Sequence, residues 1–433
     1  MRFLYRVFLY LFLPWLVLRL LWRGRRQVGY RRHWRERFGF YGQCAASPLL
    51  WIHAVSLGET NAAAPLMEAL LAAYPRHTLL LTSTTPAGRA AGMALYGGEA
   101  RIMLACLPWD TPDAVRRFFR HFRPVLGVLL ETEIWPNLLF AAKRHDVPVL
   151  LVNARMSRRS ARGYARIAAL ARPVFACLSA VAAQERADAR RLAFLGAARI
   201  SLCGNLKFDA RPAPELLARG KAWRAEIMGA QFRPIWLAAS TREGEETLLL
   251  DVMRQLSARW PPDAPPPLMV LTPRHPQRFS DVAALIKARG FTLARRSERL
   301  PTPETQVWLG DSMGEMAAYY ALADAAFIGG SLLPLGGQNL IEAAACACPT
   351  ILGPHTFNFA RASLDAVRAG AALRANDAGA LTDALTTLLA QPERRAIMRA
   401  AALTFAADRQ GATARIMALL RDQVPPPAAD SRD

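Results

Sequence analysis

LLWIHAVSLGETNAAAPLMEALLAAYPRHTLLLTS, residues 49–83, holds the fold in miniature. An apolar run gives way to a small-residue turn, then to an Ala- and Leu-rich helical pattern, then to a second apolar run. A strand with one wet face would alternate polar and apolar residues; these runs do not alternate, so each is a strand buried on both faces. Two such strands joined by a helix form the crossover of a parallel sheet. The turn itself carries one acid, Glu59, in a chain with 55 Lys and Arg against 34 Asp and Glu. Glu59 is either the acidic half of a helix cap or a reactive group at a strand end, and the rest of the chain has to decide.

The pattern repeats along the chain. RIMLACL, VLGVLL, PVLLVNAR, SAVAAQ and ISLCGN continue the first series of strands, and PIWLAAS, LMVLTPR, VWLGD, AAFIGGS and PTILG form a second. The chain has 433 residues, more than one core accommodates, so two domains of roughly 200 residues are expected. Both are doubly wound α/β domains meeting near residues 209–232, with their facing strand ends forming a cleft. The PPDAPPP run at 261–267 precedes a strand of the second series and is a surface loop.

A net charge of +21 asks for an anionic partner. Only Lys143, Lys207, Lys221 and Lys287 are lysines, so part of the arginine excess reflects composition and not function. Residues 3–22, FLYRVFLYLFLPWLVLRLLW, are the most apolar stretch, but the charge-free core from Val7 to Leu18 falls short of the ~20 residues a spanning helix needs. Arg2, Arg6, Arg19 and Arg23 with interleaved aromatics suit a helix lying in the membrane interface, with a buried core helix as the plain alternative. The basic block WRGRRQVGYRRHWRERFG follows with no small-residue cleavage site, which argues against a signal peptide. Basic charge beside an apolar helix selects anionic lipid over nucleic acid. The six cysteines show no metal-ligand spacing and read as reduced thiols of a cytosolic protein; Cys346-Ala-Cys348 is a redox pair only if it escapes burial. No GxGxxG, Walker lysine loop, HExxH or Asp-x-Asp is present, which counts against a dinucleotide oxidoreductase, a P-loop NTPase and a metal-dependent sugar transferase.

The chemistry-bearing motifs follow strands. AASTREGEE puts Ser240 and Thr241 at a helix start, where hydroxyls and free amides hold phosphate or simply cap. LTPRHP ends a strand at Pro273 and Arg274, a fork suited to phosphate. GDSMGEM is expected to open a helix at Asp311 or Ser312, with the amides of Met313, Gly314 and Glu315 exposed to a base or ribose. GGSLLPLGGQNLIEAA brings two glycine pairs near a ligand, with Asn339 opening a helix and Glu342 placed to accept from ribose hydroxyls. In the first domain VLLETEIWPN ends a strand with Glu131 and Glu133, and GNLKFD puts Lys207 near the domain junction; a salt bridge to neighbouring arginines and an exposed hinge lysine are the plain alternatives.

Taken in order, YRRHWRERFGFY, HAVSLGET, ETEIWPN, NARMSRRSARGY, GNLKFD, STREGEE, PRHPQRF, GDSMGEM and GGQNLIEAA through GPHTFNF resemble the 3-deoxy-D-manno-octulosonic acid (Kdo) transferases of lipopolysaccharide assembly. The resemblance implies a GT-B fold: two Rossmann-like domains across a cleft, with an N-terminal membrane-associated helix. It assigns residues 1–25 to the membrane-anchoring helix, 26–210 to an acceptor-binding domain, 211–425 to a CMP-sugar-binding domain and 426–433 to a disordered tail. It implies transfer of Kdo from CMP-Kdo to a lipid A precursor, lipid IVA, at the cytoplasmic face of the bacterial inner membrane. Neither cofactor nor metal is expected, and no nucleic-acid partner. Glu59 would be the general base, with Glu131 and Lys207 supporting the transition state. The CMP moiety would lie against Ser240, Pro273, Arg274, Met313, Gly314, Glu315, Ser331, Asn339, Leu340, Ile341 and Glu342. The acceptor would meet Ser56, Gly58, Thr60, Glu133 and Arg155, with Gly58 leaving room for its approach and the surrounding positive charge helping Glu59 to ionise. Gln338 departs from the histidine many relatives carry before the asparagine. The rival readings are another GT-B lipid-directed glycosyltransferase, a nucleotide-sugar epimerase, and a non-catalytic basic membrane-binding protein.

Overall fold

The computed structural model describes residues 1–42, 44, 47–228 and 233–424. It divides into two compact units, 1–210 together with 410–433, and 211–409. Part of the expected junction, residues 229–232, and the expected tail, 426–433, lie outside the described residues.

The first unit is built on a seven-stranded parallel sheet: β1 (Leu49–His53), β2 (Thr78–Ser83), β3 (Ile102–Cys106), β4 (Leu126–Leu130), β5 (Val149–Ala154), β6 (Ala180–Ala183) and β7 (Ile200–Leu202). Their order across the sheet is β3-β2-β1-β4-β5-β6-β7. Every residue of β1, β4 and β5 is buried, which is why those runs read as unbroken apolar sequence. Trp51 on β1 pairs with Gly127 on β4, and a Cβ at 127 would stand 2.8 Å from the Trp51 ring. The largest side chain of one strand thus requires the smallest on its neighbour. The Trp51 indole N–H donates to Thr82 Oγ1 at 2.8 Å, locking β1 to β2 as well.

The second unit repeats the plan with β8 (Ile235–Thr241), β9 (Leu268–Pro273), β10 (Leu293–Arg295), β11 (Val307–Leu309), β12 (Ala325–Ile328), β13 (Thr350–Leu352) and β14 (Ala372–Arg374). The order is β10-β11-β9-β8-β12-β13-β14, again all parallel. β10 and β14 add to the strands expected from sequence; LAR and ALR each carry an arginine and are only partly buried, so they lack the apolar run that marks the others. In both sheets the strand order reverses beside the first strand, between β1 and β4 and between β8 and β12; at one edge of the second sheet β11 also inserts between β10 and β9. Loops leaving such a pair diverge to opposite faces and open a crevice at the carboxyl ends, the usual ligand position in these folds.

Two expected boundaries change. The segment from residue 410 belongs to the first unit, not to the domain expected to span 211–425. Ala412, Ile416, Met417 and Leu420 of the helix Ala412–Arg421 are buried in the core of the first unit with Leu66, Leu70 and Leu206. The Asp209 carboxylate accepts from the amides of Gly411 and Thr413 at the start of that helix, and Arg415 donates to the Cys203 carbonyl at 2.9 Å. The N-terminal helix runs from Arg2 to Arg26 and is part of the first unit instead of standing apart. By length and composition it is sufficient to cross a membrane, and none of its apolar window is buried. All six cysteines are free thiols; Cys346 and Cys348 are buried, and burial pushes the Cys348 thiol up to about 12.

Ile416→Ala should cost about 2–5 kcal/mol. Hydrogen exchange should then quicken in β1–β7 and stay unchanged in β8–β14, although residue 416 follows the second sheet in sequence.

Candidate active site

At the β1/β4 reversal the first unit gathers acids. β1 ends at His53, and the helix Leu57–Ala73 starts behind Ser56, which caps it: the Glu59 amide donates to Ser56 Oγ at 3.4 Å. The Glu59 carboxylate folds back on this turn, accepting from the Val55 amide at 2.8 Å and from the Ser56 hydroxyl at 3.2 Å. Glu59 is therefore a capping residue, with its carboxylate held in one orientation. Burial raises its pKa above the usual carboxylate value; the Val55 amide opposes this, the charges of Glu131 and Glu133 add to it, and His53 opposes it again. The expectation that surrounding positive charge eases its ionisation is thus reversed, because burial disfavours the charged form and two acids add to that effect.

β4 leads directly into Glu131, whose φ of 58° is left-handed and unusual for a residue with a Cβ. Such outliers concentrate at functional sites. Lys207 Nζ donates to Glu131 Oε1 at 3.2 Å. The turn Leu206–Phe208 that carries the lysine is fixed by Asn153 Oδ1, which accepts from the Leu206 amide at 3.1 Å, and by Asn205 Oδ1, which accepts from the Lys207 amide at 3.0 Å. Glu133 Oε2 accepts from Trp135 Nε1 at 2.7 Å and stands 3.8 Å from His53 Nε2. His53 is fully buried, and its Nδ1 lies 3.1 Å from the Thr82 carbonyl. A carbonyl only accepts, so Nδ1 carries the hydrogen in that bond and Nε2 is turned toward the acids. The sequence reading missed His53; a lone histidine closing a buried strand at the reversal was the available signal. Gly58 is exposed, and a Cβ there would meet only Ser56 Oγ, at 4.0 Å. Arg155 is half-buried, its amide donating to the Glu131 carbonyl at 3.3 Å. Thr60 is corrected: at 1% exposure it faces the core and is not available to a ligand.

The second unit gathers cations at its own reversal. Ser240, at φ 55°, sits at the bulge in β8, its amide donating to Thr272 Oγ1 at 3.1 Å. Pro273 is buried at the end of β9, and the next residue, Arg274, donates its amide to the Thr241 carbonyl at 3.0 Å. The Arg242 and Arg274 guanidiniums are half-buried and form no ion pair among the described residues. Burial lowers the Arg274 pKa, Arg242 lowers it further, and Glu342 opposes the shift. Burial raises the Glu342 carboxyl, against the pull of Arg274. Two partly desolvated guanidiniums facing a single carboxylate, which burial pushes toward its neutral form, make a place for an anion. Asn339 caps the helix Leu340–Ala345 as expected, its Oδ1 accepting from the Ile341 amide at 3.2 Å.

Several donor-side expectations change. Ser331 is fully buried; its hydroxyl donates to the Ile328 carbonyl and accepts from the Gly353 amide at 2.8 Å, so it closes the loop and faces no ligand. Leu340 and Ile341 bury their side chains in the core, leaving only main-chain atoms to contact a ligand. The helix of GDSMGEM begins at Met316, not at Asp311 or Ser312, because the Asp311 carboxylate is taken by Arg295 at 2.8 Å and by the Ser297 amide at 2.9 Å. Glu315 is drawn inward by Arg219 at 2.8 Å and Arg296 at 3.0 Å, which leaves Met313 and Gly314 as the exposed part of the turn.

Glu245 organises this half-site and was missed. It is fully buried, and its carboxylate accepts from the amides of Gly330 at 2.5 Å, Leu332 at 3.1 Å and Arg242 at 3.0 Å. It ties the glycine loop to the turn that bears Arg242. The loop closes on itself through Gly337 N to Gly330 O at 2.7 Å and Gln338 N to Gly329 O at 3.0 Å. Gly330 has φ 70°, and a Cβ at Gly329 would stand 2.5 Å from the Ser240 carbonyl oxygen, so neither position admits a side chain.

Residues 32–210 match the family described as 3-deoxy-D-manno-octulosonic-acid transferase (kdotransferase). A 3-deoxy-D-manno-octulosonic acid transferase of Bordetella pertussis is 46% identical over 415 residues, covering 93% of this chain and 95% of that protein. Its namesake in Haemophilus influenzae is 38% identical, covering 90% of this chain and 91% of its own. A glycosyltransferase structure from Rickettsia africae superposes with a TM-score of 0.60 at 12% identity, over 88% of this chain and all of that one. A UDP-GlcNAc 2-epimerase structure from Neisseria meningitidis gives 0.59 at 13%, over 87% of this chain and all of that one. At such identities the two structures establish the fold alone, two Rossmann-like units of GT-B type.

Glu245→Gln should cost about 1–3 kcal/mol, read as a lower denaturation midpoint, because an amide nitrogen would face backbone N–H groups that now meet a carboxylate oxygen.

Proposed function

The chain belongs to the Kdo transferase family and is a glycosyltransferase that adds Kdo; we propose that it takes Kdo from CMP-Kdo and places it on a lipid A precursor, lipid IVA, with Glu59 as the general base. The observation that carries the reading is the Glu59 carboxylate, held by Val55 and Ser56 at the β1/β4 reversal and raised in pKa by burial and by two neighbouring acids. A sugar hydroxyl is a poor nucleophile until its proton is withdrawn, and a base with a raised pKa accepts that proton more readily than an ordinary carboxylate. The hydroxyl proton passes to Glu59 as its oxygen bonds to the anomeric carbon of Kdo. The bond from that carbon to the phosphate oxygen breaks on the opposite face, and CMP leaves with inversion. The Lys207–Glu131 pair supports the charge that develops during transfer. Gly58, Ser56, Glu133 and Arg155 border the acceptor.

On the donor side Arg242 and Arg274 meet the CMP phosphate, the Ser240 turn supports it, and Glu342 accepts from the ribose hydroxyls. The Met313–Gly314 turn and Asn339 complete the nucleotide contacts. The N-terminal helix and the basic residues after it bring the enzyme to anionic lipid on the cytoplasmic side of the inner membrane, where the acceptor resides. Because Arg242 and Arg274 neutralise the departing phosphate in this proposal, no metal or other cofactor takes part.

Incubation of the purified protein with CMP-Kdo and lipid IVA, followed by mass spectrometry of the lipid, should show addition of one or more Kdo masses; an unchanged lipid with intact donor would overturn the proposal. Glu59→Gln should abolish that product while CMP binding, measured by calorimetry, persists. The acid limb of kcat/KM should lie above the usual carboxylate value, since Glu59 acts only when deprotonated and its pKa is raised. Glu133→Gln removes one of the like charges and should move that limb to lower pH, whatever it does to the maximum rate. Turnover should survive EDTA.

A further inference from the structure

The N-terminal helix has two faces with different attachments. Phe3, Val7, Leu11, Trp15, Leu18 and Trp22 recur every three or four residues and are exposed, which makes one apolar stripe. The other face is held by the first unit. Tyr5 Oη donates to Asp110 Oδ2 at 2.8 Å, Arg6 Nε to Asn137 Oδ1 at 3.3 Å, and Tyr10 Oη to Asp113 Oδ1 at 2.7 Å. The Arg2 guanidinium lies 4.1 Å from the centroid of the Phe140 ring. These contacts pin Arg2, Tyr5, Arg6 and Tyr10, so the docked helix lies against the unit and turns its apolar stripe outward. Arg19, Arg23, Arg25, Arg31, Arg32 and Arg35, on or just after the helix, form no ion pair among the described residues, so the stripe is accompanied by uncompensated positive charge. That combination fits an anionic lipid surface.

Asp110 is where this helix meets the site. It is 4% exposed, and besides Tyr5 its carboxylate accepts from the amides of Asn137 at 3.0 Å and Leu138 at 2.8 Å. Its carbonyl accepts from Asn137 Nδ2 at 2.6 Å. Those amides form the first turn of the helix Pro136–Arg144, which would otherwise be left without acceptors. The residue just before that turn is Trp135, whose indole N–H holds Glu133. A cap needs only the two amide bonds. The additional Tyr5 hydroxyl joins the cap to the N-terminal helix, and Arg6 reaches the same turn through Asn137.

We propose that Asp110 is a positioning residue through which contact of the N-terminal helix with anionic lipid sets the Glu133-bearing turn, so that the enzyme is activated at the surface that holds its acceptor. This rests on the acceptor-side role given to Glu133 above. Lipid favours the docked helix because only there does the apolar stripe face outward while Tyr5, Arg6 and Tyr10 keep protein partners; a detached helix would carry those polar groups into the apolar layer.

The test uses the full-length protein and a water-soluble, deacylated acceptor, the phosphorylated glucosamine disaccharide. Kdo transfer is measured with and without acceptor-free vesicles of phosphatidylglycerol and phosphatidylethanolamine. Vesicles should raise the wild-type kcat by about fivefold or more, the range of coupling between linked sites, with KM for CMP-Kdo unchanged. Tyr5→Phe should keep the rate without vesicles and still co-sediment with them, yet lose the rise; Asp110→Asn should lose it too. If Asp110→Asn lowers the melting temperature, Tyr5→Phe decides alone, since it leaves the carboxylate and both amide bonds in place. Transfer without any vesicle effect in the wild type, or an equal rise in Tyr5→Phe, overturns the coupling and leaves the transferase reading intact. No transfer to any acceptor overturns both.

Discussion

The reversal of strand order governs this protein. In a parallel sheet every strand must be followed by a crossover of the same hand, so chains that leave the first strand to one side cover one face and those that leave to the other side cover the opposite face. Where the two sets part, the carboxyl ends of two adjacent strands stand uncovered. In the first sheet that pair is β1 and β4, in the second β8 and β12. The Trp51–Gly127 contact fixes the first pair at van der Waals distance. The turns that follow these four strands carry Glu59, Glu131, Arg242 and the glycine loop, so the placement of chemistry follows from topology before any side chain is considered.

Each unit gives its crevice a different electrostatic character. In the first, three acids share a small region with one lysine and a buried histidine, and burial raises the Glu59 pKa. In the second, arginines gather around a loop whose own amides are already bound by Glu245, so their charge stays available for an anion. Withdrawing a proton and receiving a phosphate leaving group are the two electrostatic tasks of sugar transfer, and under the proposed function one falls to each sheet.

Much of this was legible in the sequence because buried parallel strands are apolar without alternation, and twelve of the fourteen strands announced themselves that way. β10 and β14 did not, since LAR and ALR each include an arginine and are only partly buried, so neither makes an apolar run. The Ser56–Glu59 spacing signalled a cap, and the cap is present. What sequence could not give was direction. Hydroxyls at Thr60 and Ser331 looked like ligand contacts, yet one faces the core and the other satisfies backbone groups. An arginine-rich composition suggested positive surroundings for Glu59, but net charge does not say which face the charge occupies. Glu245 and His53 escaped notice because their roles depend on partners 85 and 29 residues away. The helix Ala412–Arg421 is amphipathic in either setting, and its sequence does not name the core it completes.

That last helix has a consequence for how the protein is made. A domain at the start of a chain ordinarily finishes folding while the remainder is still being synthesised. Here the first unit lacks Ile416, Met417 and Leu420, and the Asp209 carboxylate lacks its amide partners, until translation has passed through the whole of the second unit. The sheet that bears Glu59 therefore waits on the ribosome with part of its core open, whereas the second sheet, continuous from 211 to 409, can close first. Order of emergence and order of completion are opposite, so the acid-bearing unit is the last part of the molecule to mature.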